Sequence, residues 1–147
     1  MKHLNLWASR RDDSLVLSME STFDGEVEIE YAMAPFFQAL EAYAVDWMPD
    51  VVKGRRGRKY SRSIVWKALS EEIGSAKTIG LYRTQAPALD MTLRLRFPPL
   101  PQKLKLSLYL QPLSFFDGKE RCQQLVEMVR AWASRYPTSF ASAHSMS

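Results

Sequence analysis

Apolar and polar residues alternate strictly through LDMTLRLRF, with Leu89, Met91, Leu93, Leu95 and Phe97 on one side and Asp90, Thr92, Arg94 and Arg96 on the other. A period of two marks a strand with one buried face. After the break PPLPQ the pattern returns in KLKLSLYLQ, where Leu104, Leu106, Leu108 and Leu110 share a side. The two segments predict an antiparallel pair with one wet face. EVEIEYAM alternates in the same manner, setting Val27, Ile29, Tyr31 and Met33 against Glu26, Glu28 and Glu30. The Asp24-Gly25 pair before it suits a tight turn from SLVLSME, which predicts a second hairpin. HLNLWAS and TIGLYRT at 78–84 read as further short strands, and SFASAHSMS as a strand running into the chain end.

Elsewhere the period lengthens. In DGKERCQQLVEMVRAWASRY the residues Cys122, Leu125, Val129, Trp132 and Tyr136 recur at steps of three and four, which predicts a helix. Asp117 with Glu120 resembles a capping box, and Pro137 ends the run. A second helix is predicted to start at Pro35 and to bury Phe36, Leu40, Tyr43 and Trp47 before Pro49. A third runs from about Ile64 to Ile73, with Gly74 placed to close it in a left-handed conformation. The grouping of strands is not the regular alternation of a parallel α/β chain. It predicts an α+β fold, a mainly antiparallel sheet of five to six strands with about three helices packed on one face.

With 147 residues, 46% of them hydrophobic, the chain reads as one globular domain over 1–147. The terminal strand suggests that the native chain runs further. Cys122 is the single cysteine, so an intramolecular disulfide is impossible and a thiolate zinc site lacks ligands. No cofactor is expected. The start MKHLNLWASRRDD lacks the apolar run of a secretory signal, and no stretch approaches the length of a membrane span. These features read as a cytoplasmic protein with no membrane partner.

Charge narrows the partners. The net charge is +4, and VVKGRRGRKYSR concentrates Lys53, Arg55, Arg56, Arg58, Lys59 and Arg62 around Gly54 and Gly57. A solvated loop between two helices is the simpler reading; a loop that grips phosphates or an acidic protein is the functional one. The polar face of the strand pair adds Arg94, Arg96, Lys103 and Lys105. Like charges opposite one another are unfavourable unless something offsets them. If the strand carrying Glu26, Glu28 and Glu30 were the neighbour, the charges would pair internally. If it were not, a basic face would stay open to an acidic partner.

Catalytic chemistry finds little footing. The two histidines, His3 and His144, stand at opposite ends of the chain, and Cys122 falls on the predicted apolar face of its helix. Asp12-Asp13 and Glu71-Glu72 are adjacent, so neither pair shares a helix face. KGRRGRK has the wrong glycine spacing for a phosphate-binding loop. Trp47, Trp66 and Trp132 suit core positions, whereas Trp7, Tyr60 and Tyr82, near arginines, could anchor a protein interface.

LNLWASRR at the start, IGLYR in the middle and WASRYPTSFASAHS at the end together resemble immunity proteins of bacterial polymorphic-toxin and type VI secretion systems. The resemblance implies a non-enzymatic, cytoplasmic protein that protects its producer by tight one-to-one binding to a cognate toxin, often a nuclease. Nuclease inhibitors commonly present acidic surfaces, whereas this chain is basic. Its toxin would then be acidic, or EVEIEY would supply the acidic face. The expected partner is therefore a protein bound through Arg55, Arg56, Arg58, Lys59, Tyr60, Arg94, Arg96, Lys103, Lys105 and Trp7. RNA or DNA on the same basic loop and sheet face is the alternative.

Overall fold

The computed structural model describes residues 14–146. In chain order they form β1 (Ser14–Ser21), α1 (Ile29–Tyr43), β2 (Val51–Lys53), β3 (Gly57–Lys59), α2 (Arg62–Glu71), β4 (Ala76–Arg83), β5 (Ala88–Arg96), β6 (Lys103–Gln111), α3 (Lys119–Arg135) and β7 (Thr138–Met146). Short 3₁₀ turns lie at Val45–Trp47 and Leu113–Phe116. The strands form one seven-stranded sheet in the order β3-β2-β4-β5-β6-β1-β7, with every neighbouring pair antiparallel. The fold is α+β as expected, with seven strands rather than five to six. The additional strands come from the basic stretch, which is not a loop between helices but the hairpin β2–β3. HLNLWAS, His3 and Trp7 lie outside the described residues.

The alternating pattern carries directly into the central sheet. Leu89, Met91, Leu93 and Leu95 of β5 pair with Leu110, Leu108, Leu106 and Leu104 of β6 on one face, and Leu17 and Met19 of β1 extend that face. Ile79 and Leu81 of β4 continue it on the other side. Phe36, Phe37 and Leu40 of α1, Val65 and Leu69 of α2, and Met128 and Trp132 of α3 pack on it in a single buried cluster.

EVEIEYAM does not form a strand. It leads through a turn into α1, with Glu28 at the N-cap. Asp24 Oδ1 accepts the Glu26 N–H at 3.0 Å, and the Gly25 N–H donates to Gln102 Oε1 at 3.0 Å. The short alternation competes with a longer helical stripe, in which Met33, Phe36, Phe37 and Leu40 are fully buried. Each such side chain contributes about 1.5–3 kcal/mol on burial, so the helical register wins. Sheet topology leaves no room for the alternative, since β1 is already flanked by β6 and β7.

Pro35 consequently lies inside α1 rather than at its start. The Tyr136 hydroxyl accepts the Phe36 N–H at 3.1 Å and donates to the Ala32 carbonyl at 2.8 Å, two groups that pair with each other in an uninterrupted helix. One turn earlier on α3, the Trp132 Nε1–H donates to the Phe36 carbonyl at 3.0 Å, and its ring stacks on Phe36 at 4.4 Å. The end of α3 thus clasps α1 beside the proline.

Two further expectations are corrected. α3 has Gly118 at its N-cap with no side-chain cap, so Asp117 and Glu120 do not form a capping box. Cys122 is exposed, as are residues 117–120 just before it, so the start of α3 is not covered. The α2 helix is capped by Ser61, whose hydroxyl accepts the Ile64 N–H at 3.2 Å, and Gly74 just beyond it has a φ of 94°.

Candidate interaction surface

Register divides the basic residues between the two faces of the sheet. Arg58 of β3 stands opposite Val52, whose side chain is buried on the helix-covered face. Its guanidinium reaches Glu71 on α2, and that contact holds the Glu71 carboxyl below the ordinary range. Arg62 forks onto Glu41 through Nε at 2.9 Å and a terminal nitrogen at 2.8 Å. The Tyr60 hydroxyl donates to the same carboxylate at 2.8 Å. The Arg62 bond is the leading cause that lowers the Glu41 pKa, against the opposing effect of burial. Half-burial, followed by the Glu41 bond, pushes the Tyr60 phenol up. Lys77 donates to the carbonyls of Leu69 and Glu72 at 3.0 and 2.8 Å, closing α2, and Arg83 donates to the Met48 carbonyl at 3.1 Å. Arg58, Arg62, Lys77 and Arg83 are therefore structural cations on this side of the sheet.

The opposite face is different. Arg94 lies directly opposite Lys105, and Arg96 opposite Lys103. Lys53 and Lys59 belong to the same face, since their register partners Gly80 and Val51 are out of phase with buried Leu81 and Val52. Lys53 lies across Gly80 from Thr92, two strands or about 10 Å from the strand that carries Arg94. Five of these six cations are exposed and Lys103 is half-buried. Among the described residues none of the six forms an ion pair. Arg55 and Arg56 lie at the hairpin tip, both exposed, and the charge of Arg56 also helps to lower the Glu71 pKa.

Two carboxylates share the face. Glu20 of β1 stands opposite Lys105 and lines a shallow recess with Arg94, Arg96, Lys103 and Lys105. Asp90 lies between Tyr82 and Tyr109 in register, and its partial burial raises its pKa. The Tyr82 ring covers Gly80, where an added Cβ would fall 2.8 Å from the ring. A glycine here lets the aromatic lie along the sheet.

The structure therefore brings together Arg94, Arg96, Lys103 and Lys105 with Lys53 and Lys59, and turns Arg58 and Tyr60 inward. Glu26, Glu28 and Glu30 are not on a neighbouring strand, so they do not neutralise the strand pair. Glu20 was readable in advance, because SLVLSMES places it on the polar side of β1. Its proximity to Lys105 was not, since it depends on which strand lies beside β6. Among the described residues no group of three or more His, Cys, Asp or Glu could hold a metal. No helix among them is long and apolar enough to cross a membrane.

No protein-family model and no curated protein matches the sequence. The fold, however, has a solved counterpart. The chain is similar to the Pseudomonas aeruginosa T6SS protein PA0821, with a TM-score of 0.61 and 9% sequence identity over 88% of this chain. The match covers 39% of that protein's chain, so this chain corresponds to well under half of its length. At such identity the likeness concerns the fold alone.

Proposed function

We propose that the protein is a non-catalytic binding module that neutralises a cognate bacterial toxin by one-to-one association, presenting its cationic sheet face to an acidic surface of that partner. The observation that carries this reading is the pair of like-charge register positions, Arg94 opposite Lys105 and Arg96 opposite Lys103, with Glu20 as the single carboxylate that the neighbouring strand β1 sets beside these four cations. Such pairs cost the isolated sheet stability, and an anionic partner offsets that cost. The cations that need no partner are those already satisfied on the helix side. The fold shared with a T6SS protein is compatible with this role.

Long-range attraction from such a face speeds association and selects among partners. The test is capture from nuclease-treated lysate of the source cells, with identification of the recovered protein by mass spectrometry. A stoichiometric partner whose affinity falls about 10- to 100-fold in Arg94→Glu/Lys105→Glu is the expected result, the scale seen when interfacial charge pairs are broken. Recovery of RNA or DNA instead, lost in the same variant, would overturn the protein reading in favour of phosphate binding.

A further inference from the structure

On the helix side, the start of α1 carries a second surface. Tyr31 is 73% exposed and stands between two recesses. One, of about 620 Å³, is lined by Val27, Glu28, Glu30, Ala34, Arg62 and Trp66 besides Tyr31 itself. The other, of about 410 Å³, includes Phe23, Asp24, Arg135 and Tyr136. Val27 and Tyr31 line both, so the recesses form one groove across the N-terminal end of α1.

The first recess has a definite chemistry. Trp66 meets Phe37 edge-on at 5.5 Å and is only partly buried, leaving part of its indole to line the recess. Glu28 and Glu30 are exposed on its rim. The one cation in the lining, Arg62, is already forked onto Glu41, so it does not neutralise them. Carboxylates at a helix N-terminus favour the helix dipole, and an isolated exposed aromatic is ordinary. Neither fact accounts for two aromatic side chains and an apolar floor shared with two carboxylates in one concavity. Aromatic faces attract a cation, apolar walls accept its aliphatic stem, and carboxylates take its hydrogen bonds.

We propose that this recess receives an arginine or lysine side chain from an extended basic segment of a partner protein. The site is separate from the cationic sheet face and does not depend on that face's role. Its charge is opposite, so the two surfaces call for different partner chemistry.

The experiment is an NMR titration of ¹⁵N-labelled protein with the blocked pentapeptide Gly-Leu-Arg-Leu-Gly. A matched peptide with citrulline in place of arginine serves as the uncharged isostere. The arginine peptide is expected to shift the amides of residues 28–34 and the Trp66 indole N–H, with saturation in the low-millimolar range or tighter, about the strength of one anchored side chain. The citrulline peptide should bind about tenfold more weakly. Glu28→Lys/Glu30→Lys should abolish the shifts with an unchanged fold by circular dichroism, whereas Arg94→Glu/Lys105→Glu should leave them intact. Tyr31→Ala, at an exposed position, tests the aromatic contribution without disturbing the core.

Equal binding of the two peptides, or shifts confined to the sheet face, would overturn the proposal. So would the absence of shifts at saturating peptide. Concentration-dependent self-association of the protein that Glu28→Lys/Glu30→Lys removes would assign the groove to a second copy of this chain, and would overturn it as well.

Discussion

The Tyr136 hydroxyl supplies an acceptor to the Phe36 N–H and a donor to the Ala32 carbonyl, groups of α1 on either side of Pro35. Burial raises the phenol's pKa, so it stays protonated and able to donate at neutral pH. Tyr136→Phe leaves both backbone groups without that partner at nearly unchanged volume. The expected cost is about 1–3 kcal/mol, read as a lower urea midpoint at constant slope. Glu41 supplies a pH-dependent contribution at the same scale. Its folded pKa lies below the ordinary 4.5, chiefly through the Arg62 bond. The associated stability is present above the unfolded-state value and is lost as pH falls through the folded one. Both partners are about a third exposed, so solvent screening limits the contribution to about 1 kcal/mol. Thermal melts between neutral and acidic pH should show a shallower acid decline in Glu41→Gln than in the parent.

At the scale of elements, β5 and β6 carry like charges in alternate register positions, Arg94 with Lys105 and Arg96 with Lys103. Arg94→Glu converts one repulsive pair to an attractive one and is expected to stabilise the isolated protein by about 0.5 kcal/mol at low salt. Added salt should shrink the difference as screening weakens the repulsion in the parent. A destabilised variant in chemical denaturation would show that the pair carries no net repulsion. This strand pair was legible in the sequence because its period of two runs through both segments and the connection is short. The start of α1 was not: EVEIEY satisfies the strand period locally, and only the buried Met33, Phe36, Phe37 and Leu40 stripe overrules it. The hairpin β2–β3 was missed for a related reason. Strands of three residues are too short to reveal a period, and pairing of β2 with β4 is what holds them.

For the whole molecule, the sheet is assembled from distant segments, with β1 seated between β6 and β7 and the basic hairpin at the opposite edge. That order sends Arg58, Arg62, Lys77 and Arg83 to partners beneath the sheet, and leaves Lys53, Lys59, Arg94, Arg96, Lys103 and Lys105 on its other face. The sequence by itself determined the class of fold, the long central strands, three helical segments and the concentration of positive charge. Those follow from local periodicity and composition, which any contiguous segment displays. Only the tertiary structure decided which cations are satisfied and which remain available, that Glu20 rather than Glu26, Glu28 or Glu30 neighbours the basic pair, and that Tyr31 and Trp66 share a recess. Strand order and helix placement are set by burial summed over the entire core, so neighbours across the sheet leave no mark in the short-range pattern of either strand.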